Sequence, residues 1–307
     1  MTALTLTSGR VGSPRTRRLR ALTAVEARRT LRSPWLWCGA AGSAAMTLTA
    51  GSVDYQSETY VNATMAVTAL ALGGFVHAVQ VGGRDHSTSL DPFAPAAVMD
   101  ADERATARLL GLWPLLLVGV LAAVVLGVGE RIEGGFWLGE GARRTDSRVH
   151  SAFELSQLPA VVLVAAMAGM AAGRAARRRG LVAVLGAVAA AALGFVWWAW
   201  QWVPARYVTL MQAQPLEIDL EQGLTASDTP ADWWVAAPNE FDLSWRRVLV
   251  HEAMAGWHSA YLVGVSIILA GLAVRGRIGV RLVAVGLGIA VAGVAAQMLV
   301  APGSPVA

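Results

Sequence analysis

Leu109–Gly129 reads LLGLWPLLLVGVLAAVVLGVG, 21 residues without a single charged side chain. As an α-helix rising about 1.5 Å per residue, it measures about 31 Å, close to the thickness of a bilayer's hydrocarbon core. Six further runs share the property: Pro34–Ser52, Val61–Gly82, Leu155–Gly173, Gly180–Val203, Ala253–Val274 and Leu282–Pro302 contain no Asp, Glu or Arg. Backbone amides in lipid have no water to bond, so each run must satisfy itself as a helix. The Ala, Leu, Gly and Val composition lacks the polar alternation of a membrane barrel. The expected fold class is all-α: a polytopic integral membrane helical bundle of six to seven transmembrane helices.

Working outward, residues 1–33 are a basic segment holding an amphipathic elbow helix, with Leu19, Leu22 and Val25 on one face. Residues 34–302 form the transmembrane domain, and 303–307 are a C-terminal tail. Within the domain lie a polar loop at 83–108 and two loops on the other side, at 130–154 and 204–252. The first run is read as an uncleaved helix rather than a signal peptide, because its charged lead is long and its apolar stretch continues to Ala50. Cys38 is the one cysteine, which excludes an intramolecular disulfide and disfavours a thiolate metal site.

The chain has no lysine, so all 25 basic residues are arginine. With a cytoplasmic N-terminus, eighteen arginines fall on inside segments and seven outside, while 15 of the 21 acidic residues lie outside. That is the positive-inside pattern of a cell-membrane protein. The net charge of +4 thus reports topology. Nucleic acid is excluded as a partner, because the arginines are scattered over short loops and do not share one face with aromatic residues.

The inside segment between the second and third runs is the most distinctive. Asp100, with Glu103 three residues later, has the spacing of a helix cap, so a helix is expected to start there and continue into the third span. Ahead of it stand Arg84, Asp85, Ser87, Thr88, Leu90, Phe93 and Pro95, followed by Arg104 and Arg108.

This order resembles the membrane permease subunit of type 2 ATP-binding-cassette exporters. In that family a basic elbow helix precedes the first span. The second span then ends in a charged residue, Ser or Thr, a short apolar helix, Pro, and an Arg-containing helix entering the third. The resemblance covers the first 130 residues, and the remainder as a hydropathy outline. It implies that Ser87–Pro95 docks in a groove of an ATPase subunit and passes its motion to the bundle, with Arg84, Asp85 and Arg104 flanking that element. It also implies a second permease copy or a homologous permease as partner. A Walker A motif needs a lysine, so ATP hydrolysis is expected in a separate chain, and this chain is expected to be no enzyme and to carry no cofactor. Three features depart from the family: the loop 204–252 stands where a short re-entrant hairpin belongs, Leu282–Pro302 is a seventh run, and the outside loop from Glu130 to Glu154 is long.

Polar residues inside the runs are few. His77, Gln80 and Gln297 are the candidate lining of a pathway, with neighbour hydrogen bonding as the alternative. His251-Glu252 lacks the second histidine of a zinc protease, since position 255 is Ala. His251 and His258, two helical turns apart, are read with His77 as ordinary histidines, the first two at the outer interface, rather than haem or metal ligands. Trp197, Trp198, Trp200, Trp202, Trp233, Trp234, Trp245 and Trp257 suit an outer aromatic belt. Ala165, Gly169 and Gly173, and likewise Ala284, Gly288 and Ala292, are small residues at four-residue spacing and are expected at helix contacts. Pro114 is either a kink in the third span or a residue of its start.

The expected function is a permease subunit forming an export pathway, driven in trans by an ATPase. Uncharged spans disfavour a proton- or sodium-coupled carrier. The alternative is a membrane scaffold or accessory protein with no transport path.

Overall fold

Proline and capping residues set the helix boundaries. The computed structural model describes residues 14–50, 63–84, 99–138, 146–175, 207–212, 216–219, 246–249, 252–274 and 276–300, with the isolated positions 182, 184, 186 and 188. Helix α1 (Pro14–Leu31) stops two residues short of Ser33, which precedes Pro34 and is thereby biased away from helical geometry. Helix α2 (Pro34–Ala50) begins on that proline, whose missing N–H costs nothing at a first position. After α3 (Met65–Gly82), helix α4 (Ala101–Leu110) opens on the expected cap, the Asp100 carboxylate accepting from the Glu103 amide at 2.6 Å.

The helix then breaks, contrary to the expected run into the third span. Helix α5 (Trp113–Glu133) starts afresh with Pro114 in its first turn. Pro114 has no N–H for the Leu110 carbonyl, and Leu115 donates three residues back to Leu112 at 3.0 Å. The freed Gly111 carbonyl accepts instead from the Thr30 hydroxyl of α1 at 3.0 Å. Pro114 is therefore a helix-start residue and not a mid-span kink.

Beyond α5, the short antiparallel strands β1 (Phe136–Leu138) and β2 (Asp146–Arg148) form a ribbon. Helix α6 (Ala152–Ala175) follows, with a reciprocal cap: Ser151 Oγ accepts from the Glu154 amide, and Glu154 Oε2 accepts from the Ser151 amide at 2.7 Å. A second ribbon, β3 (Leu216–Asp219) with β4 (Arg246–Leu249), precedes α7 (Glu252–Val274) and α8 (Gly276–Val300). The two ribbons add a little strand to an otherwise helical molecule. Gly276, the first residue of α8, takes φ +58°, a left-handed conformation that glycine adopts without strain.

Among the described residues, five helical tracts are long and apolar enough to cross a membrane: α3, the tract Ala101–Glu133 that joins α4 and α5 through the turn at 111–112, α6, α7 and α8. Helix α2, equally apolar, has 17 described residues. The run expected at Gly180–Val203 lies outside the described residues except for its four isolated positions. Leu117, Leu121, Val124, Val125 and Val128 on α5, and Val280, Val285, Leu287, Val291 and Leu299 on α8, are exposed. Such continuous apolar surface belongs against lipid. The chain is a multi-pass helical membrane protein.

Helix α6 is the hub, touching α3, α5 and α7, while α2 lies on α3 and α8 on α7. Small residues set these approaches. A methyl group at Gly169 or Gly173 would strike the Phe75 or Val79 carbonyl of α3, as the spacing on this run led one to expect. On α8 the expectation fails. The stripe facing α7 is Gly279, Gly286, Ala290 and Gly293: Gly286 lies against Gly264, and Gly279 against Gly271. Ala284, Gly288 and Ala292 all point outward, and a methyl at Gly288 would meet nothing within 4 Å. Two glycine heptads on one face outcompeted the four-residue stripe, because backbone-to-backbone approach requires Gly rather than Ala.

Candidate functional site

The bundle has two polar ends. At the first, the elbow helix α1 is bolted to the helices on either side of the 85–98 segment. Glu26, the sole acidic residue in the first 53, is 3% exposed and accepts from Arg29 at 2.9 Å and from Arg84, directly after α3. Thr30, buried beside it, meets His77 Nε2 of α3 at 3.1 Å as well as the Gly111 carbonyl. Gly111 has no room for a side chain, since a methyl there would lie 2.5 Å from Glu26 Cβ. Farther along, Arg15 pairs with Glu103 of α4. On the inner side of α4, Asp102 pairs with Arg174 of α6 at 3.0 Å and lies beside Gly276 in the α7–α8 turn.

Helix α1 buries a face rotated from the one its leucines mark. Leu19 and Leu22 are half-buried and Val25 is exposed, while Glu26, Ala27 and Thr30 point inward. The polar inward face is tolerable because Glu26 and Thr30 both find partners there. Glu26 was missed in the sequence reading, although an isolated acid among eight arginines is a signal for a buried ion pair.

The second end is closed by a strap, residues 207–212, whose backbone is held by side chains from α7 and α8. Tyr261 donates to the Val208 carbonyl at 2.7 Å, His258 Nε2 meets the Met211 carbonyl at 2.7 Å, and Gln297 Nε2 donates to the Tyr207 carbonyl at 3.3 Å. His258 Nδ1 and Gln297 Oε1 meet at 3.0 Å. The strap in turn reaches α3 through Gln212, whose Oε1 accepts from the Thr64 amide at 3.1 Å. Irregular backbone lacks the ladder of a helix, so its carbonyls take these side-chain donors instead. Nearby, Glu130 of α5 accepts from both the amide and Nδ1 of His150, at 2.8 and 2.6 Å, and both residues are buried.

The candidate pathway residues do not come together. His77 is buried at the first end on Thr30, Gln297 is buried at the second end on the strap, and Gln80 points outward. His258, expected at an interface, is instead fully buried, because the strap covers it. His251 lies outside the described residues, and among those described no three His, Cys, Asp or Glu side chains gather as a metal site. Trp257 is exposed at the start of α7, as a belt residue would be, and the other seven tryptophans of that belt lie outside the described residues. Of the coupling set, Arg84 binds Glu26 and Arg104 donates to the Met99 carbonyl at 2.5 Å. Asp85, Ser87, Thr88, Leu90, Phe93 and Pro95 lie outside the described residues.

Comparison with family models, with curated proteins and with solved structures finds no match for this chain. Fold and sites together define its class as a polytopic helical membrane protein with an ion-paired N-terminal helix at one end and a backbone strap held by buried side chains at the other.

Proposed function

We propose that this chain is the permease subunit of an ATP-binding-cassette exporter of type 2, driven by a separate ATPase that engages Ser87–Pro95. The carrying observation is the bracing of that segment on both flanks. Arg84, just before it, is paired to Glu26 of the elbow, and α4, just after it, is paired to α1 through Glu103 and to α6 through Asp102. A loop that receives force must be tied to what it moves, and these pairs reach the elbow, the hub helix and the α7–α8 turn. In this reading the arginine-rich end is cytoplasmic, the protein sits in the cell membrane, and a second permease copy completes the pathway. Hydrolysis belongs to the partner, since no lysine exists here for a Walker A site.

The test looks for a Walker-containing ATPase among the reading frames adjoining this one, where it is expected, and co-expresses it with this chain, followed by purification through a tag on this chain. The ATPase is expected to co-purify, and replacing residues 87–95 by a Gly/Ser loop is expected to release it while the bundle still inserts. Undiminished association with the replaced loop, or an intact-cell label reaching that loop from outside, overturns the proposal.

A further inference from the structure

Helix α1 presents an outward face that the ion pairs of its inward face do not use. Arg20 and Arg28 are exposed there, as is Arg32, one residue past α1, whose amide still donates to the Arg28 carbonyl at 3.1 Å; at 3.6 residues per turn the three project within about 120° of one another. Exposed Ala24 and Leu31 lie between them, and Val25 is exposed alongside.

The depth of this face is marked by three exposed tryptophans. Trp37 of α2 donates its indole N–H to the carbonyl of Leu31, the last residue of α1, at 2.7 Å. Trp35 stands one residue into α2, and Trp113 begins α5 two residues after Gly111, the glycine on which Thr30 of α1 is seated. Tryptophan side chains collect at headgroup depth, where one edge of the ring is wet and the other is in hydrocarbon. Helix α1 is therefore level with the headgroups. Guanidinium groups at that level stand opposite phosphates, which they bind with two parallel N–H donors. A docking face for an acidic protein would point to water and leave little reason to expose Leu31 and Val25 among the arginines. Those residues suit the boundary between phosphate and acyl chain.

We propose that the outward face of α1, through Arg20, Arg28 and Arg32, is a binding surface for anionic phospholipid headgroups. It holds a shell of acidic lipid around the elbow.

The test uses the full chain in nanodiscs of equal parts phosphatidylcholine and phosphatidylglycerol, with co-purifying lipid counted by native mass spectrometry. Phosphatidylglycerol is expected to be enriched around the wild type, and the R20Q/R28Q/R32Q variant to lose that preference by roughly tenfold. A second arm compares hydrogen exchange of residues 14–32 in wild-type protein between phosphatidylglycerol-containing and pure phosphatidylcholine discs, with stronger protection expected in the first. Equal enrichment in variant and wild type overturns the proposal, as does exchange indifferent to phosphatidylglycerol. So does loss of a co-purifying polypeptide with the lipid count unchanged, which would assign the arginines to a protein. No ATPase is present in either arm, so the outcome stands apart from that of the permease reading.

Discussion

Arg84 and Glu26, 58 residues apart in sequence, form an ion pair in which the carboxylate is 3% exposed and the guanidinium 27%. The pair joins the elbow helix to the end of α3 at the residue where the described chain leaves for the 85–98 segment. A displacement of Arg84 is thereby passed to α1. Removing the cation leaves a buried carboxylate with Arg29 as its remaining cationic partner, whereas removing the carboxylate leaves cations that reach water.

Arg84→Gln is therefore expected to loosen α1 more than Glu26→Gln does. Hydrogen exchange across residues 14–31 in detergent or nanodiscs measures it. A double-mutant cycle should return a coupling of about 1–3 kcal/mol. Additive effects of the two changes would mean that the pair contributes no specific bond.

Gly169→Val is expected to destabilise the α3–α6 contact by about 1–3 kcal/mol or more, since its new side chain meets the Phe75 carbonyl. Gly288→Ala, with open space around it, is expected to change unfolding by less than about 0.5 kcal/mol, because no contact opposes the methyl. Forced or steric-trap unfolding compares the two. Equal effects would contradict the packing assignment of α8.

His258→Leu and Gln297→Leu each remove a support of the strap, and each hydrogen bond in such a setting contributes about 0.6–2 kcal/mol. A Met211→Cys probe in a Cys38→Ser background reports on release through the rate of maleimide labelling. Faster labelling in both variants is expected. Unchanged rates would show that the strap is held by the ribbons and loops around it and not by these two side chains.

Asp100→Ala removes the cap of α4 and is expected to cost about 1 kcal/mol, with faster amide exchange confined to the first turn, residues 101–104. Asp100→Asn should retain most of the protection. Indifference to both changes would mean that the ion pairs of Asp102 and Glu103 hold this helix end without help.

Much of the bundle was legible in the sequence because membrane spans announce themselves by length and by the absence of charge, which are one-dimensional properties. The Asp100–Glu103 cap and the Gly169–Gly173 contact were legible for the same reason, each being a local pattern. The break at Gly111 was not. It needs Thr30, 81 residues away, to donate to the Gly111 carbonyl, which the Leu115 amide leaves free by bonding Leu112 instead. Nor was the separation of His77, Gln80 and Gln297, since a polar residue in a run carries no label saying which end or face it will occupy.

Composition alone determined that this chain lives in a bilayer as helices, that its basic groups are all guanidinium, and that it lacks the lysine of a Walker A motif. The tertiary structure alone decided which glycine stripe became a contact, which face of α1 turned inward, and which side chains hold the strap. The physical reason is range. Transfer of apolar residues into lipid is summed along the chain and needs no partner, whereas a buried carboxylate, carbonyl or imidazole is tolerable only where the fold delivers its counterpart.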